Sequence, residues 1–414
     1  CFTDQDGYIP SLTVGALQQK FQLTRLDLKK QDETEFLYEF SDGSRLIFTM
    51  DPYKKGCVRY VDYLTNGILL KREWYGTRKL VTEYFEKGIL IRRSFHNQDG
   101  HIAFEELKQG ATWLYRLGNE ILVSQTEVMR RFLARLSLTR EDTLLLDRAA
   151  LIAFARPILE LHSPAKLGFV FHSEHEFKNG GLYYEYYYIF KYAERFDFFI
   201  TATEAQKAVL ETTLHKQGLN NATIYALPVG HLDSLSYPDG QRKPLSLITA
   251  SRLDPRKRLD LAVRAVALAH DKVPNLHFDI YGKGVEQENL EHLIEDLGAS
   301  SYIHLRGHAN LQKIYPQYEL YVTTSQWETF GLTLMEAAGA GLALIGFDAR
   351  YGNPTFIKDG KNGYLVPYDE TMDDDLLVSD MADKLVAVLE SNLESMHQAS
   401  YDLAKKYLKP EILE

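Results

Sequence analysis

Cysteine is almost missing from this 414-residue sequence, which holds only Cys1 and Cys57. Two are too few for a disulfide framework or a multi-cysteine zinc site, and such usage fits a reducing cytosol. Long apolar runs are missing too. The longest, about 337–347, falls far short of the roughly 20 residues of a membrane helix, and no signal-peptide pattern is visible. Nor is there an excess of positive charge. With 57 acidic and 47 basic side chains the net charge is −10, so the average surface repels polyanions such as nucleic acid, and any anion site has to be local.

What is present is ordinary globular usage, 45% hydrophobic and 25% charged, at a length that predicts two or three domains. From about Glu35 to Val123, short aromatic and β-branched runs alternate with glycine turns such as Asp42-Gly43, Asn66-Gly67 and Asp99-Gly100. These are hairpin signals, and they predict an antiparallel meander over 34–124. After it, buried strand runs at Thr143–Leu146, Leu167–His172, Phe196–Thr201 and Thr223–Pro228 alternate with helical segments. A second series follows at Leu245–Ser251, Leu276–Tyr281, Ile303–Leu305, Glu319–Thr323 and Leu342–Gly346. Strands alternating with helices read as two Rossmann-like, doubly wound parallel sheets whose carboxyl ends face a cleft. The expected division is 1–33 and 125–243 for the first α/β domain, 244–395 for the second, and 396–414 for a helix crossing back to the first. Residues 228–243 read as the linker. Cys1-Phe2-Thr3-Asp4 reads as a late strand, so the sequence is expected to begin inside the first domain.

Two clusters carry chemistry. Arg252, Arg256, Lys257 and Arg258 stand directly after the strand Leu245–Ala250. Arg252 can fork two donors to phosphate oxygens, and Lys257 adds a mobile point charge. A solvated charged turn ahead of an amphipathic helix accounts for the same residues. The second cluster is Glu328-Thr329-Phe330-Gly331-Leu332, with Glu336 inside the following helix. The helix start between the two carboxylates offers free amides suited to a diphosphate or a sugar hydroxyl, and a carboxylate further in can accept from a ribose diol. A capping residue and a solvated helix face are the structural alternative. In the first half, Phe171-His172-Ser173-Glu174-His175 follows a buried strand, which places a histidine at the cleft. His172 is the first choice and His175 the second. The cluster lacks a fourth ligand for zinc. Asp373-Asp374-Asp375 lies in a polar stretch and reads as solvated.

Together, Arg252, Lys257 and the Glu328-x7-Glu336 pattern resemble the nucleotide-binding half of retaining GT-B glycosyltransferases of the sucrose-synthase-like family. Tyr281-Gly282-Lys283-Gly284, Arg306-Gly307-His308 and Asn362-Gly363-Tyr364-Leu365-Val366 fall where that family places its glycine-rich strand end, base-facing loop and closing turn. The resemblance implies that Arg252 and Lys257 bind the donor diphosphate and that Glu336 binds the ribose. Gly307 and His308 would border the base. Thr329, Phe330, Gly331 and Leu332 would grip the donor sugar, with Glu328 and His172 beside the reacting centre. It implies no metal and no cofactor besides the nucleotide-sugar substrate.

With the inserted meander, His172-Ser173-Glu174-His175, Tyr183–Tyr188 and Leu227-Pro228-Val229-Gly230-His231, the whole chain is similar to the GtfA family of accessory-secretion glycosyltransferases of Gram-positive bacteria. That family moves N-acetylglucosamine from its UDP carrier to serine or threonine of serine-rich repeat adhesins, with a catalytically silent GtfB paralogue as partner. A cytoplasmic location is implied, with peripheral attachment to the inner face of the cell membrane left open. Complete family members open with a strand and glycine-rich loop that would precede Cys1. Tyr183–Tyr188 reads either as an acceptor path or as core and interface. Arg72, Trp74, Tyr75, Arg78, Arg92 and Arg93 of the meander are read either as partner or acceptor contacts or as ordinary sheet residues. Two alternatives stay open: a teichoic-acid α-glucosyl or N-acetylglucosaminyl transferase, and a non-catalytic GtfB-like subunit, against which Arg252, Lys257, Glu328 and Glu336 speak.

Overall fold

The computed structural model describes residues 11–148, 152–177 and 179–413. It divides into two compact units. The first carries an antiparallel sheet of ten strands in sequential order. They are β1 (Leu28–Gln31), β2 (Glu35–Glu39), β3 (Ser44–Met50), β4 (Val58–Thr65), β5 (Ile68–Tyr75), β6 (Lys79–Glu86), β7 (Ile89–His96), β8 (Ile102–Gln109), β9 (Thr112–Leu117) and β10 (Glu120–Leu122). The meander thus starts at Leu28, ahead of the expected residue 34. Helix α1 (Val14–Lys20) buries Leu17 among Tyr38, Phe48, Val58 and Val61, so residues 11–33 pack with this sheet and supply no parallel strand. The reading of Cys1–Asp4 falls outside the described residues. Helices α2 (Gln125–Ala134) and α3 (Ile152–Glu160) belong to the same unit and pack together, with Arg130 and Glu160 joined at 2.7 Å.

One row of the sheet explains how its register is held. Asp62, Arg72, Glu83, Arg93 and Glu106 stand opposite one another on β4 to β8. Alternating signs bond across successive strands: Arg72 to Asp62 at 2.6 and 2.8 Å, Arg93 to Glu83 at 2.9 Å and to Glu106 at 2.8 Å. Cross-strand charge pairs contribute roughly 0.2–1 kcal/mol each. The other named side chains are engaged in the sheet as well. Arg92 bonds Glu105, Trp74 donates to Glu83, Tyr75 to Glu73, and Arg78 to the His96 carbonyl. The ordinary-sheet reading therefore accounts for all six.

The second unit holds two parallel sheets. Four strands, β11 (Thr143–Leu146), β12 (Lys166–Val170), β13 (Phe198–Thr201) and β14 (Ile224–Ala226), lie in sequential order. Helices α4 (Tyr184–Lys191) and α5 (Glu204–Lys216) follow β12 and β13. The second sheet has six strands, β15 (Ser246–Ala250), β16 (His277–Tyr281), β17 (Ile303–Gly307), β18 (Leu320–Thr323), β19 (Ala343–Phe347) and β20 (Gly363–Val366), in the order β17-β16-β15-β18-β19-β20. Its helices are α6 (Leu259–His270), α7 (Gln287–Asp296), α8 (Leu332–Gly339), α9 (Gly352–Phe356), α10 (Asp374–Leu389), α11 (Leu393–Ala404) and α12 (Lys409–Leu413). The order reverses between β15 and β18, and such a switch point opens a crevice at the strand ends. This is the two-sheet α/β architecture with an antiparallel insert that the sequence predicts.

The segment expected as a linker, 228–243, is bound to the second half along much of its length. Leu232 pairs with Tyr407 and Lys409, Ser236 with Gly339, and Lys243 with Gln317. The Arg242 guanidinium donates to the carbonyls of Pro316, Tyr318, Ala340 and Gly341 and to the Tyr401 hydroxyl. The expected solvated loop at 373–375 is a helix start instead. Asp373 caps α10, while Asp374 and Asp375 pair with Arg258 and Arg264.

Candidate active site

The strand ends of the six-stranded sheet bring the two sequence clusters together. β15 is buried throughout, and its chain leaves the sheet at Ser251 into a loop closed by Ser251 N–H to Tyr281 O and Leu253 N–H to Lys283 O, each 3.1 Å. Gly282 is required here because a Cβ would sit 1.8 Å from the Ser251 carbonyl oxygen, at φ +146°. The basic loop then divides its four charges. Arg256 chelates Asp254 at 2.8 and 3.0 Å, and Arg258 bonds Asp260 and Asp374. Lys257 Nζ lies 2.6 Å from Glu328 Oε2. Arg252 is exposed and alone of the four has no salt bridge among the described residues. Sequence reasoning counted four cations for an anion; the fold leaves Arg252 free and Lys257 shared.

Glu328 is fixed through its backbone as well. Its N–H donates to Arg350 O at 2.8 Å, and its carbonyl accepts from Tyr351 and Gly352 N–H at 2.6 Å each. Gly331 caps α8 at φ +89°, where a Cβ would stand 2.8 Å from Leu334 and 3.1 Å from Glu328 Cγ. The first turn of α8, Leu332 onward, so presents its amides close to that carboxylate. Of the segment 329–332, Phe330 puts its ring in the core against Phe356 (5.2 Å) and Tyr407 (6.0 Å). Only its backbone faces a ligand role, while Leu332 is exposed.

Three adjoining cavities follow the strand ends. Arg252, Ser251, Tyr281, His308 and Thr333 line one of about 430 Å³. Lys257, Glu328, Ser251 and Thr333 line a small one beside it. Glu336 and His308 line the largest, about 590 Å³, together with His231, Ser234, Asn310 and Tyr315. Burial raises the Glu336 carboxyl above the usual range, and the neighbouring Tyr315 works against that shift. The buried Tyr315 hydroxyl lies beside that carboxylate and makes no other hydrogen bond among the described residues, so Glu336 is the acceptor within its reach. Beneath them Tyr321, its hydroxyl pushed up to about 12 chiefly by burial, bonds Thr333 at 2.8 Å. Tyr315, Thr333 and the 232–236 segment were given no role from sequence, since a tyrosine in a short 3-10 turn and serines in a linker carry no motif, while His231 entered only as part of the Leu227–His231 motif.

The two histidines separate. His172, at the end of β12, is half exposed and holds Asp147 at 2.7 Å; it does not line these three cavities. His175 is fully buried against Phe171 and Phe190 and bonds Thr213 at 3.3 Å, and burial depresses it to about 4. It is a core residue rather than a second choice for the cleft. Of the tyrosine run, Tyr186 is core, while Tyr184 and Tyr187 are exposed.

Residues 239–401 match the Glycosyl transferases group 1 family, and residues 28–119 match the GtfA extended beta-sheet domain. The chain is 42% identical over 363 residues to a UDP-N-acetylglucosamine–peptide N-acetylglucosaminyltransferase GtfA subunit of Streptococcus gordonii, covering 85% of this chain and 71% of that protein. It superposes with a TM-score of 0.87 on pneumococcal O-GlcNAc transferase GtfA in complex with UDP and GlcNAc, at 35% identity over 100% of this chain and 83% of that one. A GtfA/B complex gives a TM-score of 0.89 at 38% identity over 99% and 84%. With both the insert and the nucleotide-binding half accounted for, the chain belongs to the GtfA family of glycosyltransferases.

Proposed function

We propose that this protein is a retaining, metal-independent transferase that moves N-acetylglucosamine from UDP-N-acetylglucosamine to serine or threonine hydroxyls of a serine-rich protein, working with a GtfB-like subunit. The observation that carries this reading is the convergence of Arg252, Lys257, Glu328, His308 and Glu336 on adjoining cavities along one sheet edge. Arg252 forks onto the diphosphate. Lys257, with three donors on one ammonium, bridges the diphosphate and Glu328. The α8 amides and these cations stabilise the departing UDP, a role that fixed donors fill without reorganisation. Glu336 accepts from the ribose diol, and the Gly307-His308 turn borders the base. Glu328, His172 and the 329–332 backbone attend the sugar. As the C1–O bond to the phosphate breaks, the sugar gains oxocarbenium character. The acceptor hydroxyl then attacks from the same face and yields its proton to the leaving phosphate.

The test offers UDP-N-acetylglucosamine or UDP-glucose with either a Ser-rich peptide or a polyol-phosphate polymer, in the presence of the GtfB-like subunit, and follows transfer and UDP release. Transfer of N-acetylglucosamine to the peptide is expected. Glucosylation of the polymer in its place would overturn the reading.

A further inference from the structure

The cavities assigned to the donor occupy one side of the sheet edge only. His308 follows β17, Arg252 follows β15 and Glu328 follows β18. Past Glu328, over the ends of β19 and β20, lies a separate cavity of about 210 Å³. Its walls come from both α/β halves: Glu174 and Tyr183 after β12, then Gln326, Arg350, Tyr368 and Glu370. Arg350 lines it with a part-buried side chain, and its Nη1, buried beside the Tyr351 hydroxyl, has no partner in hydrogen-bond geometry. A guanidinium with so few acceptors in the chain keeps donors for one in the cavity. The backbone of Arg350 is bonded to that of Glu328 at 2.8 Å, so the cavity and the Lys257–Glu328 pair share one loop framework.

We propose that this cavity is the acceptor subsite and that it takes a short, extended Ser/Thr-rich segment, with Arg350 donating to a peptide carbonyl. The proposal rests on the donor assignment above. It is small beside the roughly 300–1,000 Å³ of a pocket that encloses a drug-sized ligand, which suits small side chains. Its described lining includes the carboxylates of Glu174, Asp369 and Glu370 and the guanidinium of Arg350. That balance repels a polyol-phosphate chain and accepts hydrogen bonds from neutral hydroxyls. Tyr183 and Tyr368 supply aromatic walls against which a flexible segment lies.

Arg350→Gln tests it, with three readouts: UDP affinity by calorimetry, UDP release from the sugar nucleotide without acceptor, and KM for a Ser-rich peptide. The peptide KM is expected to rise about tenfold, the loss of one hydrogen bond to a charged group, with the first two readouts unchanged. Unchanged peptide KM overturns the proposal, and so does a parallel fall in UDP affinity, which would place Arg350 on the donor. Glu370→Lys, at an exposed rim position, is expected to raise peptide KM and to favour polyol-phosphate polymer; no change in either also overturns it. Wild-type protein that transfers to the polymer in preference overturns the peptide occupant while leaving the donor site standing. Wild-type protein that binds no UDP overturns both readings.

Discussion

Lys257→Ala is the most informative perturbation, because that ammonium has two tasks in the proposed site. It neutralises Glu328 at 2.6 Å, with side-chain exposures of 20% and 24%, and it faces the proposed diphosphate. Unit charges 4 Å apart interact by about 4 kcal/mol at an effective dielectric of 20. Partial exposure and the desolvation of both groups reduce that figure, and loss of one donor to a transition-state oxyanion costs about 3–4 kcal/mol. We therefore expect UDP affinity to fall by about 2–3 kcal/mol, which is roughly 30–150-fold in Kd, because the variant also leaves an uncompensated carboxylate next to the phosphates. Glu328→Gln has the opposite sign. It releases Lys257 to the diphosphate, so UDP binding is kept or tightens while sugar transfer falls. The double variant Lys257→Ala/Glu328→Gln recovers part of the lost affinity, and the four titrations form a coupling cycle. Calorimetry with UDP alone reads all of them. If Lys257→Ala binds UDP as the wild type does, or if Glu328→Gln weakens UDP binding as much as Lys257→Ala, the division of charge is wrong.

Glu336→Gln is expected to weaken UDP binding about tenfold or more, the worth of hydrogen bonds to a charged group, and Tyr315→Phe by a smaller factor. His172→Ala should lower transfer with UDP titrations unchanged, since neither His172 nor Asp147, which it holds, lines the nucleotide cavities. Gly331→Ala forces a side chain into the left-handed region, at about 1–2 kcal/mol, and presses on Leu334 and Glu328; transfer should fall more than the melting temperature, and the reverse ranking would refute the positioning argument. Buried His175 and part-buried His397 are both depressed to about 4, chiefly by desolvation. The unfolded chain binds these protons first, so their contribution is complete above about pH 6.5 and is lost as pH falls toward 4, at up to about 1.4 kcal/mol per pH unit for each. Denaturant midpoints that fall less steeply from pH 7 to 4.5 in His175→Gln than in the wild type would assign the difference to His175, and identical slopes would refute it.

Much of the fold was legible because burial imposes a period. Ser246–Ala250 and Ala343–Phe347 are buried at every position, as parallel strands covered on both faces must be. The meander showed itself through turn glycines such as Gly43, Gly67 and Gly100, each at φ near +80°. What the sequence could not show is partner choice. Arg256 and Lys257 are neighbours in the chain, yet one closes on Asp254 two residues back and the other on Glu328 from a different strand end. The same holds for Asp374, a charge in a polar run that turns out to anchor Arg258. His175 was misjudged because a histidine two turns of chain past a strand end can dive back under aromatic rings as readily as face a cleft. Residues 11–27 lacked any strong period, and they are tied to the sheet by tertiary contacts, the packing of Leu17 and backbone bonds such as Val58 N–H to Leu12 O.

The segment ahead of the second half also sets where the molecule can bend. Since Leu227 N–H is bonded to Thr201 O, and Leu232, Ser236, Arg242 and Lys243 are all fastened to the second half or to the chain's last turns, the length left to change shape between the two anchorages runs from Pro228 to His231. Nucleotide exchange that requires the halves to part therefore has its pivot in Pro228-Val229-Gly230-His231, four residues in which proline stiffens the start and Gly230 lies closely against Leu332. The lifetime of spent nucleotide in the cleft becomes a property of that short stretch, and a substitution there can change turnover without touching a ligand.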